Sequence, residues 1–507
     1  MILALESYLS YQLSRFTDLP KVILNRYPIC IAGFILLVSV PLYAQQSLSS
    51  QISHYIKETG TNGAIWSVSV RDTTGKKIIG INDQKLVTPG SNLKLMTSAA
   101  ILHALGIKYR FKTSLYGFGQ RKDSVWDGDV YIVGTGDPSI NGDFYQGDPL
   151  HVFDEFYEKL DSLGIKSVNG YIIANNSYFD SKPYPDGWSW NNLTSSAVPE
   201  IDALSFNNNC IDITTKAKGR IGDSPEIHWF PYNTNFVHVI NEQTITPDDT
   251  PFDAQYKRIL GTNTIILKSN IPQNDVEKVS ITVTNPAHFF IDSFKKYLNI
   301  NGFNWKGNEI VDNRMHNWRD TTKFTKLVVH RSQPVGTLIQ RINKNNNNFY
   351  AEMMLKASAA KVFEAQGSTD LGIQLVGNYL ASLGIDTSKV EMTDASGVSD
   401  HTLVETAGLT KFLVKIRNKK YFPVYQNSLS QASLDGTLEN RFLNTPLQTK
   451  VLGMATRKMN SAAFSGYIST KKNKTLIFSI ITNHFKGNWK KVTAVQDKVL
   501  SLFYNHY

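Results

Sequence analysis

Cysteine is nearly missing from this chain: 507 residues hold two, Cys30 and Cys210. That excludes a disulfide framework, so the stability has to come from buried apolar cores. Cys210, in "FNNNCIDI", reads as a small buried hydrophobe. Long apolar runs are also scarce. The run Ile29–Ala44 follows Lys21 and Arg26 and ends on a small residue, the layout of a secretory leader cleaved after Ala44. A retained anchor is the alternative. No later stretch reaches the roughly 20 apolar residues of a membrane helix. The 11 histidines show no ligand spacing, so no metal site is expected, and no cofactor motif is present. The net charge of +10 is scattered and forms no Lys/Arg stripe, which argues against nucleic acid. An exported basic protein suits an anionic cell envelope instead. Neither a Gly-x-Ser-x-Gly nucleophile elbow, nor His-Glu-x-x-His, nor a phosphate-binding glycine loop occurs.

What is present is globular, with 41% hydrophobic and 19% charged residues, and a length that suggests about three domains. "AIWSVSVR" and "KIIGIND" read as a β-hairpin across "DTTGK", and "FSGYIST" and "KTLIFSIITNHF" as a second across "KKNK". A final helix places Val492, Val495, Val499 and Leu502 on one face. Hairpins at both ends, with helices between, predict one antiparallel sheet built from distant segments. Residues 45–114 and 321–507 form its two parts. Between them, residues 115–320 carry short strands separated by Gly, Pro, Asn and Asp, and read as a mainly β insertion of two subdomains.

Four Ser-x-x-Lys spacings occur: Ser91/Lys94, Ser293/Lys296, Ser358/Lys361 and Ser469/Lys472. The spacing alone is weak. Ser293 and Ser358 lie inside helical text and Ser469 at a hairpin turn, whereas "TPGSNLKLMTSAA" opens an apolar helix directly after a hairpin. There Ser91 and Lys94 share one face. A serine hydroxyl needs a neighbouring base to become a nucleophile, and a desolvated lysine can be that base. The free N–H groups of a helix start would face the developing oxyanion.

The order of fragments "TPGSNLKLMTSAAIL", "YIVGTGDPSI", "DGWSWNNL", "ALSFNNN", "HRSQPVGTLIQRINKNNNNFYAEMMLK", "DASGVS", "DGTLENRF" and "FSGYI" resembles the penicillin-recognising serine peptidases. Within them it is similar to the three-domain, low-molecular-mass class C D-Ala-D-Ala carboxypeptidases/endopeptidases, from about residue 50 to the end. The resemblance implies an α/β transpeptidase-like fold, an antiparallel sheet flanked by helices. It also implies an acyl-enzyme on Ser91 with Lys94 as general base, peptidoglycan stem peptides as substrate, β-lactams as ligands, and a periplasmic location.

Two of the family's three motifs are altered. Where relatives carry Ser-x-Asn, "NKNNNNFYAE" places Asn346 at the serine position and Asn348 at the asparagine. Counted back 11 residues from Ser465, the usual Lys-Thr-Gly falls on Met454, Ala455 and Thr456. An amide cannot readily relay a proton, Met454 supplies no charge, and Thr456 adds bulk where glycine let substrate approach. The resemblance keeps the Arg457 N–H as an oxyanion donor. Lys458, seven residues before Ser465, is the alternative cation; it would require a shifted motif. Catalysis and a wall-binding scaffold that lost it therefore both stay open. Asp394 and Ser396 read as turn residues, as do Asp435, Gly436 and Thr437, while Glu352 reads as structural. Trp188 and Trp190 read as core aromatics rather than a peptide groove. Asn192 stands near a position that is often acidic in relatives.

Overall fold

A computed structural model describes residues Ser47–Tyr507 apart from Asn62, Trp318 and Arg319. The expected leader, residues 1–44, lies outside them. The body from Tyr55 onward is built on a six-stranded sheet. Its strands are β1 (Ile65–Asp72), β2 (Lys77–Ile81), β3 (Ser430–Gln431), β4 (Val451–Lys458), β5 (Ser461–Ser469) and β6 (Thr475–Asn483). They lie in the order β2-β1-β6-β5-β4-β3, every neighbour antiparallel. β1 runs beside β6 from Ile65/Asn483 to Asp72/Leu476, so the two terminal hairpins close into one sheet.

Both faces of that sheet are covered. Alternation puts Val68 and Val70 on one side and Ser67 and Ser69 on the other, all fully buried. The serines meet a helix, Thr406–Ile416, hydroxyl to hydroxyl: Ser67 to Thr406 at 2.7 Å and Ser69 to Thr410 at 2.9 Å. A polar face can be buried because each group finds a partner. The last helix, Trp489–His506, buries Val492, Val495, Val499 and Phe503.

On the side of Ser67 and Ser69, which also carries the Thr406–Ile416 helix, three helices matter for the site. α1 (Lys94–Leu105) is buried from Lys94 to Leu102 without interruption, as expected of a helix apolar all round. It ends at Gly106, whose φ of 78° suits glycine. α2 (Val335–Asn343) and α3 (Asn348–Phe363) pack against it, and α3 is itself buried from Phe349 to Ala360.

Between α1 and α2 lies the insertion. Its largest sheet has seven strands, from Lys112–Lys122 to Thr325–Arg331, with a three-stranded and a four-stranded sheet beyond. The segments expected as strands are strands. The insertion is not β alone, however. Helices His151–Ser162 and Pro286–Ile300 sit in it because Phe153, Phe290 and Phe294 form an aromatic core, with ring centroids 5.3 and 5.1 Å from Phe153.

Candidate active site

The chain leaves a short strand at Val87, makes one 3-10 turn over Gly90–Leu93 and enters α1 at Lys94. Ser91 therefore sits in the turn that precedes the helix, and its hydroxyl lies 3.1 Å from Lys94 Nζ. Gly397 fixes this turn from the far side. Its φ is 75°, and a Cβ there would stand 2.0 Å from the Gly90 carbonyl oxygen.

Lys94 is fully buried and donates to three acceptors: Ser91 Oγ, Asn348 Oδ1 at 2.6 Å and the Ser396 carbonyl at 2.8 Å. Burial pushes its ammonium down to about 7, and the charges of Asp394 and Glu352 oppose that shift. A neutral lysine keeps a lone pair for one contact, and the Ser91 hydroxyl is the partner that can donate into it.

The carboxylates behind the lysine hold the turn that faces it. Glu352 lies one turn after Asn348 on α3, fully buried, accepting from the Ala395 and Ser396 N–H groups at 3.0 and 2.9 Å. Burial first, then Asp394, pushes its carboxyl up to about 8. Asp394 does shape a turn: it accepts from Ser396 Oγ, Gly397 N, Ser399 N and Thr402 Oγ1 at 2.9–3.2 Å. It also accepts from the Trp188 indole at 3.1 Å. Together they aim the Ser396 carbonyl at Lys94. The single acidic residue of α3, four positions after Asn348, was the signal available in the sequence.

The asparagine run divides its labour. Asn346 takes φ 53°, a left-handed position asparagine tolerates. Asn347 caps α3 by accepting from the Tyr350 N–H at 3.0 Å. Asn348 bridges, accepting from Lys94 and donating to the Ala197 carbonyl at 2.8 Å.

A cavity of about 290 Å³ opens over Ser91, walled by Asn346 and Asn348, by Gly397, and by the Thr456–Lys458 end of β4. Asn192 and Ala197 of the insertion close the fourth side. The buried Asn346 amide oxygen has no protein partner. Ser293, Ser358 and Ser469 take no part. The Ser358 hydroxyl donates to the Met354 carbonyl, while Lys296 and Lys472 donate to the carbonyls of Tyr232 and His506. Among the described residues no cluster of His, Cys, Asp and Glu is suited to a metal.

β4 corrects the sequence reading. One face of the strand carries Met454, Thr456 and Lys458, and it runs from core to solvent. Met454 is 0% exposed in the main apolar core and does not line the cavity, nor does Ala455. Thr456 forms the wall, its hydroxyl accepting from the Asn92 amide at 3.2 Å. Lys458 stands at the rim, donating to the Val398 carbonyl at 2.8 Å and Asp400 at 2.5 Å. Arg457 points the other way, its guanidinium 3.6 Å over the Trp489 ring. The Ala455 N–H donates to the Thr437 hydroxyl at 3.1 Å, on the edge of β4 away from β5, and alternation turns the Arg457 N–H to that same edge. Trp190 also departs from expectation: it is 68% exposed, not core. Cys210 is buried.

A serine and a buried lysine in contact at the head of a helix, against an antiparallel sheet, define a serine acyl-transfer peptidase site. The chain belongs to the D-Ala-D-Ala carboxypeptidase 3 (S13) family, whose profile matches residues 48–501. It is 26% identical to the D-alanyl-D-alanine carboxypeptidase of Actinomadura sp. (strain R39), over 89% of this chain and 83% of that one. It is 22% identical to D-alanyl-D-alanine carboxypeptidase DacB of Haemophilus influenzae, over 90% and 92%. The crystal structure of penicillin binding protein 4 (dacB) from H. influenzae shares the fold, with a TM-score of 0.79 at 20% identity, covering 90% of this chain and 99% of that one.

Proposed function

We propose that this protein is a serine D-Ala-D-Ala carboxypeptidase/endopeptidase that cuts peptidoglycan stem peptides outside the cytoplasmic membrane, through an acyl-enzyme on Ser91. The observation that carries the reading is Lys94: fully buried, shifted down to about 7, and 3.1 Å from the Ser91 hydroxyl. A general base is most useful when its pKa lies near the working pH.

Ser91 Oγ attacks the scissile carbonyl carbon while its proton passes to Lys94 Nζ. The oxyanion that forms is met by the N–H groups of Ser91 and Arg457. The C–N bond then breaks and the departing amine takes the proton from Lys94, leaving an ester on Ser91. A water gives its proton to Lys94, attacks the ester, and releases the peptide acid as the proton returns to Ser91. Asn346 holds no transferable proton, so in this scheme Lys94 both takes and returns it. A β-lactam would enter by the same first step and stall at the ester.

The contacts of Lys94 support catalysis over the scaffold alternative, because burying an ammonium beside a nucleophile serves no scaffold. Export is supported by the Ile29–Ala44 run; among the described residues no helix is long and apolar enough to cross a membrane. The test is release of D-alanine from an N-acylated tripeptide ending in D-Ala-D-Ala. Wild type should release it, and Ser91→Ala should not. A wild type that folds and releases none overturns the reading.

A further inference from the structure

We propose that Lys458 is the specificity residue for a substrate carboxylate, which takes the place that Asp400 holds on its ammonium. This rests on the function proposed above. The D-Ala-D-Ala bond of that reading has one feature that matters here: the scissile nitrogen is attached to a carbon that carries a free carboxylate. A site that selects such bonds needs a cation a short way beyond the nucleophile.

The cavity offers two candidates. Apart from Arg457 and Lys458, its walls are uncharged, made of serine, asparagine, threonine, glycine, alanine and valine. Arg457 is committed to the Trp489 ring on the opposite side of the strand. Lys458 follows Thr456 on the face that meets Asn92, the residue next to the nucleophile, so it lies on the reacting side. Its Nζ crosses the mouth of the cavity to Val398, itself a cavity wall, and to Asp400. That ammonium therefore already binds a carboxylate at 2.5 Å, supplied by the protein.

The pair is built to be exchanged. Asp400 is 70% exposed and Lys458 38%, so their attraction is screened and contributes little to folding. An incoming carboxylate that takes the place of Asp400 keeps the charge-assisted hydrogen bond, and Asp400 returns to water. No bond is made or broken in the swap. Met454, further along the same face, sits in the core and leaves this role to the rim.

The experiment compares two N-acylated tripeptides ending in D-Ala-D-Ala, one with a free C-terminal carboxylate and one amidated. Wild type should prefer the acid. Lys458→Met should lower kcat/KM for the acid about ten- to a hundredfold, the worth of one charge-assisted hydrogen bond, and leave the amide unchanged. Lys458→Arg should keep the preference. Asp400→Asn, which removes the competitor, should lower KM for the acid and not for the amide, a change that loss of a structural contact would not produce. If wild type cleaves the acid and Lys458→Met retains the same acid-to-amide ratio, the role of Lys458 is refuted while the enzyme reading stands. A wild type that cleaves both peptides equally refutes it too. If wild type cleaves neither, the enzyme reading itself has failed.

Discussion

Replacing Lys94 by methionine should change how stability depends on pH, in a direction set by burial. The lysine is fully buried, and its pKa falls from 10.5 in the unfolded chain to about 7 in the fold. The unfolded state therefore binds more protons through that window, so this group destabilises the fold below pH 7 and ceases to do so as pH rises toward 10.5. From those two values the burden is about 4 kcal/mol at pH 7.5 and about 1–2 kcal/mol at pH 9.5. Wild type should gain roughly 2–3 kcal/mol on Lys94→Met over that interval. Methionine has a similar length and carries no charge, so the shape of the core is kept. The variant loses three hydrogen bonds, which lowers its stability by a pH-independent amount and leaves the difference in slope intact. Urea unfolding of both proteins at the two pH values reads the difference directly. Equal slopes, or a wild type that weakens relative to the variant as pH rises, would show that Lys94 folds as an ordinary ammonium.

Two further outcomes follow from the site. Met454→Ala should cost about 2–5 kcal/mol of unfolding free energy, because it empties core volume, while the folded fraction still acylates with penicillin at the wild-type rate. Unchanged stability with lost acylation would return Met454 to the substrate wall. Asn348→Asp puts a carboxylate where the amide oxygen lies 2.6 Å from Lys94 Nζ, so the lysine pKa should rise by about one to three units. The rising limb of the pH–rate profile should then move from near 7 to above 8, and an unmoved limb would mean that Lys94 is not the titrating base.

The parts of the fold legible in the sequence were those where a single periodicity decides. "AIWSVSVR" alternates with period two and "KTLIFSIITNHF" is a short apolar run bounded by turns, and their pairing as β1 and β6 follows from both belonging to one buried sheet. The apolar text after Lys94 reads as a helix because every face of it is buried. Ser91 and Lys94 were legible because both lie within one turn of chain. Glu352 and Asp394 were not, since 258 and 300 residues separate them from Lys94 and what joins them is tertiary: two backbone N–H groups and one carbonyl of the Asp394–Gly397 turn. Met454 was misplaced for a related reason. Counting along β4 gives the face of the strand correctly, but not how deep along it the cavity ends and the core begins. Trp190 reads as a core aromatic, yet it sits exposed in a short 3-10 turn.

If a neutral, buried Lys94 activates Ser91, acylation must depend on pH in a particular way. The second-order rate constant for benzylpenicillin would be measured from pH 5.5 to 9.5, with the modified peptide identified by mass spectrometry. An adduct is expected on Ser91 alone, formed at a rate that rises about tenfold per pH unit and levels off above an apparent pKa near 7. An adduct elsewhere, no adduct on the folded protein, or a rate still climbing at pH 9.5 would contradict it.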